Sequence, residues 1–178
     1  MTLSERGNTL FRYFSGLAEY VFQSELGIAD PPLTDYLSDL MYRFVRVDRM
    51  HRVRNAIGQP AKYVSDMLVE ADQRIGDAKR DVHRHIGDFT LYWAGLFPES
   101  LQTEGEGASL DQFTNYCVHG KRAYLIASTI LTEEEDAPGE VLERLGTQFE
   151  MCAYGLREVR REMERRDDDE GRSILLLN

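Results

Sequence analysis

Cysteine is scarce in this chain, which has only Cys117 and Cys152 in 178 residues. Two cysteines inside helical patterns do not form the disulfide framework of a small secreted domain. Long apolar runs are missing too, since none reaches the roughly 18 residues that a membrane span needs. Glu5, Arg6 and Arg12 charge the start of the chain, where a secretory signal would be apolar. We therefore expect a cytoplasmic protein without a membrane partner.

Positive charge is also in short supply. The chain has 21 Lys and Arg residues against 31 Asp and Glu residues, a formal net charge of −10. This balance argues against broad nucleic-acid binding, where a basic face supplies most of the affinity, so we expect no nucleic-acid partner. The sequence also lacks a phosphate-binding glycine loop, a serine-hydrolase elbow, zinc-finger spacing and a dinucleotide fingerprint. We accordingly predict no catalytic residue and no cofactor, and the sequence leans away from an enzyme.

Helical periodicity is what the chain does contain. Its richest stretch is 81–99, where five large apolar residues fall at steps of three and four and so share one helical face: Val82, Ile86, Phe89, Trp93 and Leu96. Gly87 and Gly95 lie inside this predicted helix, and a glycine there usually has a packing reason, such as the close approach of another backbone. Pro98 should end the helix. We expect a tightly packed central helix.

The other periodic segments predict an all-α bundle of five or six helices in a single domain, 1–166. The first helix should end near Leu26. Thr34 should cap the second, which continues into an arginine-rich segment, 43–54, with Arg46, Arg49 and Arg52 along one side. The periodicity over 60–97 fits either one helix or two. Internal salt bridges are the expected role of the arginines, and an anion site is the alternative.

The last predicted helix, 139–166, is the long C-terminal one. It carries apolar residues three and four positions apart over three heptads: Leu142, Leu145, Phe149, Cys152, Leu156, Val159 and Met163. Such a narrow stripe amid charge is typical of a coiled-coil-like seam on a helix that leaves the domain or pairs with one other helix. A tail, 167–178, follows, first acidic and then apolar, and four consecutive apolar residues there are unusual in a soluble protein. We expect the tail to fold back or to dock on a second copy, and a homodimer to form through the 142–163 seam and the tail.

The central stretch also carries a resemblance. It contains Gly87, Asp88, Leu91 and the run GLFPE at 95–99, followed by Tyr116, Gly120, Ala123 and Tyr124. This segment, GDxxLxxxGLFPE, resembles a set of uncharacterised bacterial all-helical proteins with no assigned activity. The similarity covers roughly residues 80 to 128, and it implies a bacterial cytoplasmic source without transferring any functional residue.

Several polar residues of the central helix could in principle bind a metal ion. Asp81, His85 and Asp88 share one side of this helix, and His51 or His119 could face them from neighbouring helices. The Glu-x-x-His pairs of di-iron bundles are missing, however. We therefore expect no metal, and predict that Asp88 pairs with Arg84 or with an arginine elsewhere.

The aromatic residues offer a second candidate site. Tyr92, Trp93, Tyr116 and Tyr124 could line a ligand pocket between helices, although aromatic stripes at helical spacing are more often ordinary core. Glu99, just after Pro98, could pair with Lys121 or Arg122 if the next helix packs antiparallel.

Two functions follow from these patterns. The first is a non-enzymatic scaffold or protein-interaction module, with a homodimer and an unidentified protein partner as its expected associations. The alternative is a small-molecule- or metal-binding helical bundle that uses the central helix, 81–97.

Overall fold

The computed structural model describes residues 9–46, 50–55, 57–101, 108–133 and 137–170. These residues form an all-α fold, as predicted, and no β-strand occurs among them. Seven α-helices lie within the described residues. They are α1 Thr9–Glu19, α2 Pro31–Phe44, α3 Val64–Asp72, α4 Gly76–Leu96, α5 Ala108–Thr129, α6 Gly139–Thr147 and α7 Phe149–Glu170.

A π-helical segment, Tyr20–Glu25, continues α1. Its wider turn is visible in the hydrogen bond that the Leu26 amide donates to the Val21 carbonyl, five residues back, at 3.0 Å. Gly27 follows with a φ of 67°, a backbone conformation that favours glycine at a helix end. The predicted end near Leu26 is confirmed.

The start of α2 differs from the prediction. Asp30, not Thr34, is the N-cap, because its carboxylate accepts a hydrogen bond from the Leu33 amide at 3.2 Å. Pro31 and Pro32 form the first turn, where a missing amide hydrogen costs no hydrogen bond. The helix ends at Phe44, so Arg46 and Arg52 lie beyond that end and the predicted stripe along one helix is wrong for them. Arg49 lies outside the described residues.

Residues 60–97 form two helices and not one. The third helix begins at Val64, and the chain leaves helical geometry after Asp72 and re-enters it at Gly76, whose φ is 56°. Pro98–Leu101 is a short 3-10 helix that closes the end of α4. Between α2 and α3 the chain makes an isolated antiparallel bridge, Arg54 to Pro60.

The central position of α4 is set by close contacts at glycines. A Cβ on Gly87 would lie 2.7 Å from ring carbons of Tyr124 on α5, and a Cβ on Gly95 would lie 2.7 Å from the Leu156 side chain on α7. The predicted packing reason for both glycines is confirmed, although the nearest atoms belong mainly to side chains. On α5, Gly120 packs against Phe149 and Thr90 in the same way.

The long C-terminal helix is present but begins at Phe149, because the predicted helix 139–166 is interrupted at Gln148. All seven apolar residues of the predicted 142–163 seam are buried within the chain itself. Helix α7 contacts α1, α4, α5 and α6. The 142–163 stripe therefore packs inside the chain and is not an exposed surface, and the homodimer stays a prediction.

Helix α7 extends through Glu170, so the acidic first part of the expected tail, 167–170, is helical. The remainder, 171–178, lies outside the described residues. No helix in the described part of the chain combines the length and apolarity needed to cross a bilayer.

Candidate functional site

The polar centre of the fold is the carboxylate of Asp88, which is only 1% exposed. Its Oδ1 accepts hydrogen bonds from the hydroxyls of Tyr36 at 2.6 Å and Tyr124 at 2.8 Å. Its Oδ2 accepts from the Arg43 Nη1 at 3.0 Å and lies 4.0 Å from the Arg84 Nε. The predicted pairing of Asp88 with an arginine is confirmed. These five residues are called the Asp88 network below.

Three helices position the Asp88 network. Tyr36 and Arg43 are seven residues apart on α2 and therefore lie on one face, and Arg84 and Asp88 are four apart on α4. Tyr124 comes from α5, brought close by the packing of its ring against Gly87. The Arg84 Nε also donates to the Tyr36 hydroxyl at 3.1 Å. Polar contacts thus tie α2, α4 and α5 together at one point in the core.

The protonation states of the network follow from its contacts. Burial by itself would raise the pKa of the Asp88 carboxyl, but the charges of Arg43 and Arg84 and the two tyrosine hydrogen bonds outweigh burial and lower that pKa. Burial raises the pKa of both Tyr36 and Tyr124, and the negative charge of Asp88 adds to the effect. At neutral pH the carboxylate is ionised and both tyrosines are neutral donors.

The charges of the network balance locally. Arg43 donates from Nε to the Asp39 carboxylate at 2.6 Å, so two arginines face two carboxylates. Both oxygens of Asp88 are engaged with protein groups and the side chain is closed to solvent. This arrangement suits a structural tie between helices, with the carboxylate closed off from a substrate by burial.

The four candidate metal ligands do not form a ligand set. Asp88 is held by the network, and His85 stacks on Phe44 at 5.7 Å and hydrogen bonds to the backbone of Met50. His51 and His119 are both half-buried. Among the described residues, no group of three His, Cys, Asp or Glu side chains is placed to hold a metal ion. Asp81 pairs with Arg52 at 3.2 Å in a partly exposed contact.

The four candidate pocket residues separate into two places. Tyr92 and Trp93 on α4 and Tyr116 on α5 belong to an aromatic cluster, in which Phe89 contacts Trp93 at 6.3 Å and Tyr116 at 6.2 Å between ring centroids. Tyr124 instead belongs to the Asp88 network. The indole Nε1 of Trp93 is buried and has no hydrogen-bond partner in the described part of the chain.

The predicted pairing of Glu99 with Lys121 or Arg122 is wrong. Glu99 pairs with Arg160 on α7, which also donates to the Leu96 carbonyl at 2.6 Å. Lys121 pairs with Glu150 at 2.7 Å. Helix α7 packs beside the end of α4, so Arg160, and not Lys121 or Arg122, lies next to Glu99.

Sequence reasoning missed Tyr36, Arg43 and Arg80. A signal for the first two existed, because a carboxylate inside an apolar helix needs a partner, and seven-residue spacing places Tyr36 and Arg43 on one face of α2. Arg80 is buried and its Nη2 donates to the Ala137 carbonyl, whereas its Nε and Nη1 have no hydrogen-bond partner among the residues that the structure describes. The position of Arg80 on α4 gave no comparable indication in the sequence that its side chain would be buried.

Comparison of the chain with protein-family models, with curated proteins and with solved structures finds no match.

Proposed function

We propose that the protein is a non-enzymatic scaffold or protein-interaction module. Support comes first from the groups that could perform chemistry. Asp88 is held by four protein groups, His85 is buried against Phe44, and Cys117 and Cys152 are both free and buried. Burial raises the pKa of Cys152 to about 12, which disfavours the reactive thiolate. The free cysteines also support the proposal of a cytoplasmic location.

The observation that carries the proposal is the position of the most exposed apolar residues. Among the large apolar side chains in the described residues, the three with the greatest exposure are Leu131 (95%), Ile75 (87%) and Ile57 (77%). All three lie at the end of the bundle where α4 begins, and we call them the apolar end. Exposed apolar groups gathered in one place are typical of an interaction site, whereas scattered ones are not.

Two sets of contacts place these residues together. Helices α4 and α5 are antiparallel, because Gly87 packs against Tyr124 while Thr90 packs near Gly120. Ile75 directly precedes α4 and Leu131 comes two residues after α5, so both lie at the same end.

Ile57 is brought to this end by two arginines. The Arg74 Nη2 donates to the Arg54 carbonyl at 2.9 Å, and the Arg54 Nη1 donates to the Gly58 carbonyl at 2.8 Å. Ile57 therefore lies on the loop between Arg54 and Gly58. A hydrogen bond links this loop to Arg74, the residue directly before Ile75.

Site-specific photo-crosslinking in the cells that make the protein tests this proposal. A crosslinking amino acid at position 75 should give one discrete product, which weakens when Ile57→Ser and Leu131→Ser are added. The matched control is position 118 on α5, because Val118 is exposed but lies away from the apolar end, and it should give no such product. Absence of a product at 75, or an equal one at 118, would overturn the proposal.

A second candidate function is the binding of a small molecule beside the central helix. It is favoured by two buried polar atoms without partners, the Trp93 Nε1 and the His85 Nε2, since such atoms are usually satisfied by water or a ligand. Native mass spectrometry of protein purified without added metal or chelator tests it. A tightly held extra mass supports the candidate, and the bare sequence mass counts against it.

A further inference from the structure

We infer that the apolar end of one copy of this protein binds residues 167–178 of a second copy. This inference rests on the proposed function, because it names the partner of the surface described there. Two features of the described residues point to this occupant: the chemistry of the surface and the distance between the two ends of the bundle.

The segment and the surface are chemically complementary. The segment reads DDDEGRSILLLN, with acidic residues followed by four consecutive apolar ones, 174–177. The apolar end offers three exposed aliphatic side chains for the apolar part. Arg54 and Lys62 lie at and just after the Arg54–Pro60 bridge that closes the Ile57 loop; both are exposed and form no ion pair with any carboxylate that the structure describes.

Charge also orients the segment on the surface. The chain as a whole carries a net charge of −10, so exposed cations without an acidic partner are favourable places for an acidic run. Asp72 and Asp77 are exposed near Ile75 and would repel the same run. The acidic residues are therefore expected beside Arg54 and Lys62, and the apolar residues beside Ile75.

The chain's own segment cannot reach its own apolar end, because α7 and α4 run in the same direction. Phe149 packs at the level of Thr90, Leu156 at Gly95, and Arg160 at Leu96. From Arg160 to Glu170, α7 continues about 15 Å past the end of α4, and α4 itself spans about 30 Å back to Gly76. The eight residues 171–178 span at most about 29 Å when fully extended, well short of the roughly 45 Å required.

A second copy satisfies this geometry. Two bundles lying side by side in opposite directions place the end of α7 of each copy next to the apolar end of the other. Each copy then donates one segment and accepts one, which closes into a two-fold symmetric dimer.

Sedimentation velocity of the full chain between roughly 1 and 100 μM tests the inference with three variants. Ile75→Asp disables the surface, Leu176→Asp disables the segment, and Val118→Asp is the control at an exposed position elsewhere. The parent and the control should dimerise with the same Kd. Each of the other two variants should raise that Kd by at least about tenfold, the equivalent of roughly 1.4 kcal/mol.

Mixing the two disabled variants gives the decisive result. The mixed dimer keeps one intact contact, the segment of the Ile75→Asp chain on the surface of the Leu176→Asp chain. The mixture should therefore contain more dimer than either variant alone. A monomeric parent, a dimer insensitive to Leu176→Asp, or a mixture no better than its components would each overturn the inference.

The crosslinking experiment separates failure of this inference from failure of the proposed function. A product at position 75 with twice the chain mass, joined to residues 171–178, supports the inference. A product containing a different protein overturns the inference and leaves the proposed function standing. The absence of any product overturns both.

Discussion

The hydroxyl of Tyr124 donates a 2.8 Å hydrogen bond to the carboxylate of Asp88, and its ring packs against the residue just before, Gly87. One tyrosine therefore fixes both the spacing of α4 and α5 and the position of the buried charge. The aspartate needs the tyrosine as a donor, and the tyrosine fits only because residue 87 has no side chain. The hydrogen bonding of Asp88 and the spacing of α4 and α5 therefore depend on the same tyrosine.

Asp88→Asn should destabilise the fold by about 3 kcal/mol or more, because it removes the buried negative charge that faces both Arg43 and Arg84 and leaves Arg43 only its ion pair with Asp39. Urea unfolding followed by circular dichroism measures the change. The matched control is Glu150→Gln, which removes the exposed partner of Lys121 and should cost less than about 1 kcal/mol. Equal losses for the two variants would show that the network does not hold the helices together.

Gly87→Ala and Gly16→Ala should have opposite effects. A Cβ at Gly87 would lie 2.7 Å from the Tyr124 ring, and the repacking should cost about 1–3 kcal/mol. A Cβ at Gly16, inside α1, meets nothing within 4 Å, so alanine there should stabilise the fold by about 0.5–1 kcal/mol through its higher helix propensity. Thermal unfolding of both variants compares them, and a neutral Gly87→Ala would contradict the close contact.

The loss of stability when methionine replaces a buried arginine should depend on which group the arginine contacts. Arg80→Met should change the free energy of unfolding by no more than about 1 kcal/mol, because within the described residues Arg80 makes a single side-chain hydrogen bond, to the Ala137 carbonyl, and methionine fills a similar volume. Arg43→Met should cost about 3 kcal/mol, since Asp88 loses its closest cation. The two variants are compared by urea unfolding, and the reverse ranking would be inconsistent with these contacts.

His85 should make stability depend on pH between about 6.5 and 4. Burial lowers its pKa to about 4 in the fold, against about 6.5 in an unfolded chain. Its contribution is complete above pH 6.5 or so and is lost as the pH falls toward the folded pKa, because only the unfolded chain binds the proton there. His83, whose pKa burial also lowers, acts in the same direction.

Removal of this histidine gives the test. Between pH 7 and 4.5, His85→Gln should lose roughly 2 kcal/mol less stability than the parent, as measured by urea midpoints at each pH. An unchanged pH dependence would mean that the imidazole is not protected from protonation by burial.

Both thiols should be unreactive in the folded protein. Burial raises the pKa of Cys117 and of Cys152, and each side chain is almost fully buried. Titration with a thiol reagent at pH 8 should modify neither cysteine at a rate near that of the unfolded chain, which should react at two sites per chain. Rapid labelling without denaturant would contradict the burial.

The sequence allowed prediction of α4 because its signal is local. The apolar residues Val82, Ile86 and Phe89 recur at helical spacing, and they are buried as expected. The pairing of Asp88 with an arginine followed from elementary electrostatics. Its particular partners did not, because Tyr36 and Arg43 lie 52 and 45 residues away along the chain and no local pattern brings them together.

The sequence predicted that α7 leaves the domain or pairs with one other helix, whereas it contacts four helices. This difference has a physical cause. The heptad stripe of α7 indicates one apolar face, yet Ala153 and Gly155 on other faces are buried as well. Gly155 packs directly against the ring of Phe22. Small residues carry little hydrophobic signal in a sequence, but they allow neighbouring helices to approach closely, so a helix with a narrow stripe can be surrounded on most sides.

Because α7 follows the other six helices of the described residues and contacts four of them, the order of synthesis matters for this fold. A nascent chain that has been made only as far as Gln148 contains α1 to α6 but lacks the helix that fills the space beside Gly95 and Phe22. Those surfaces face water until translation passes Phe149. The part of the native core that α7 covers is therefore completed only after this helix has been synthesised.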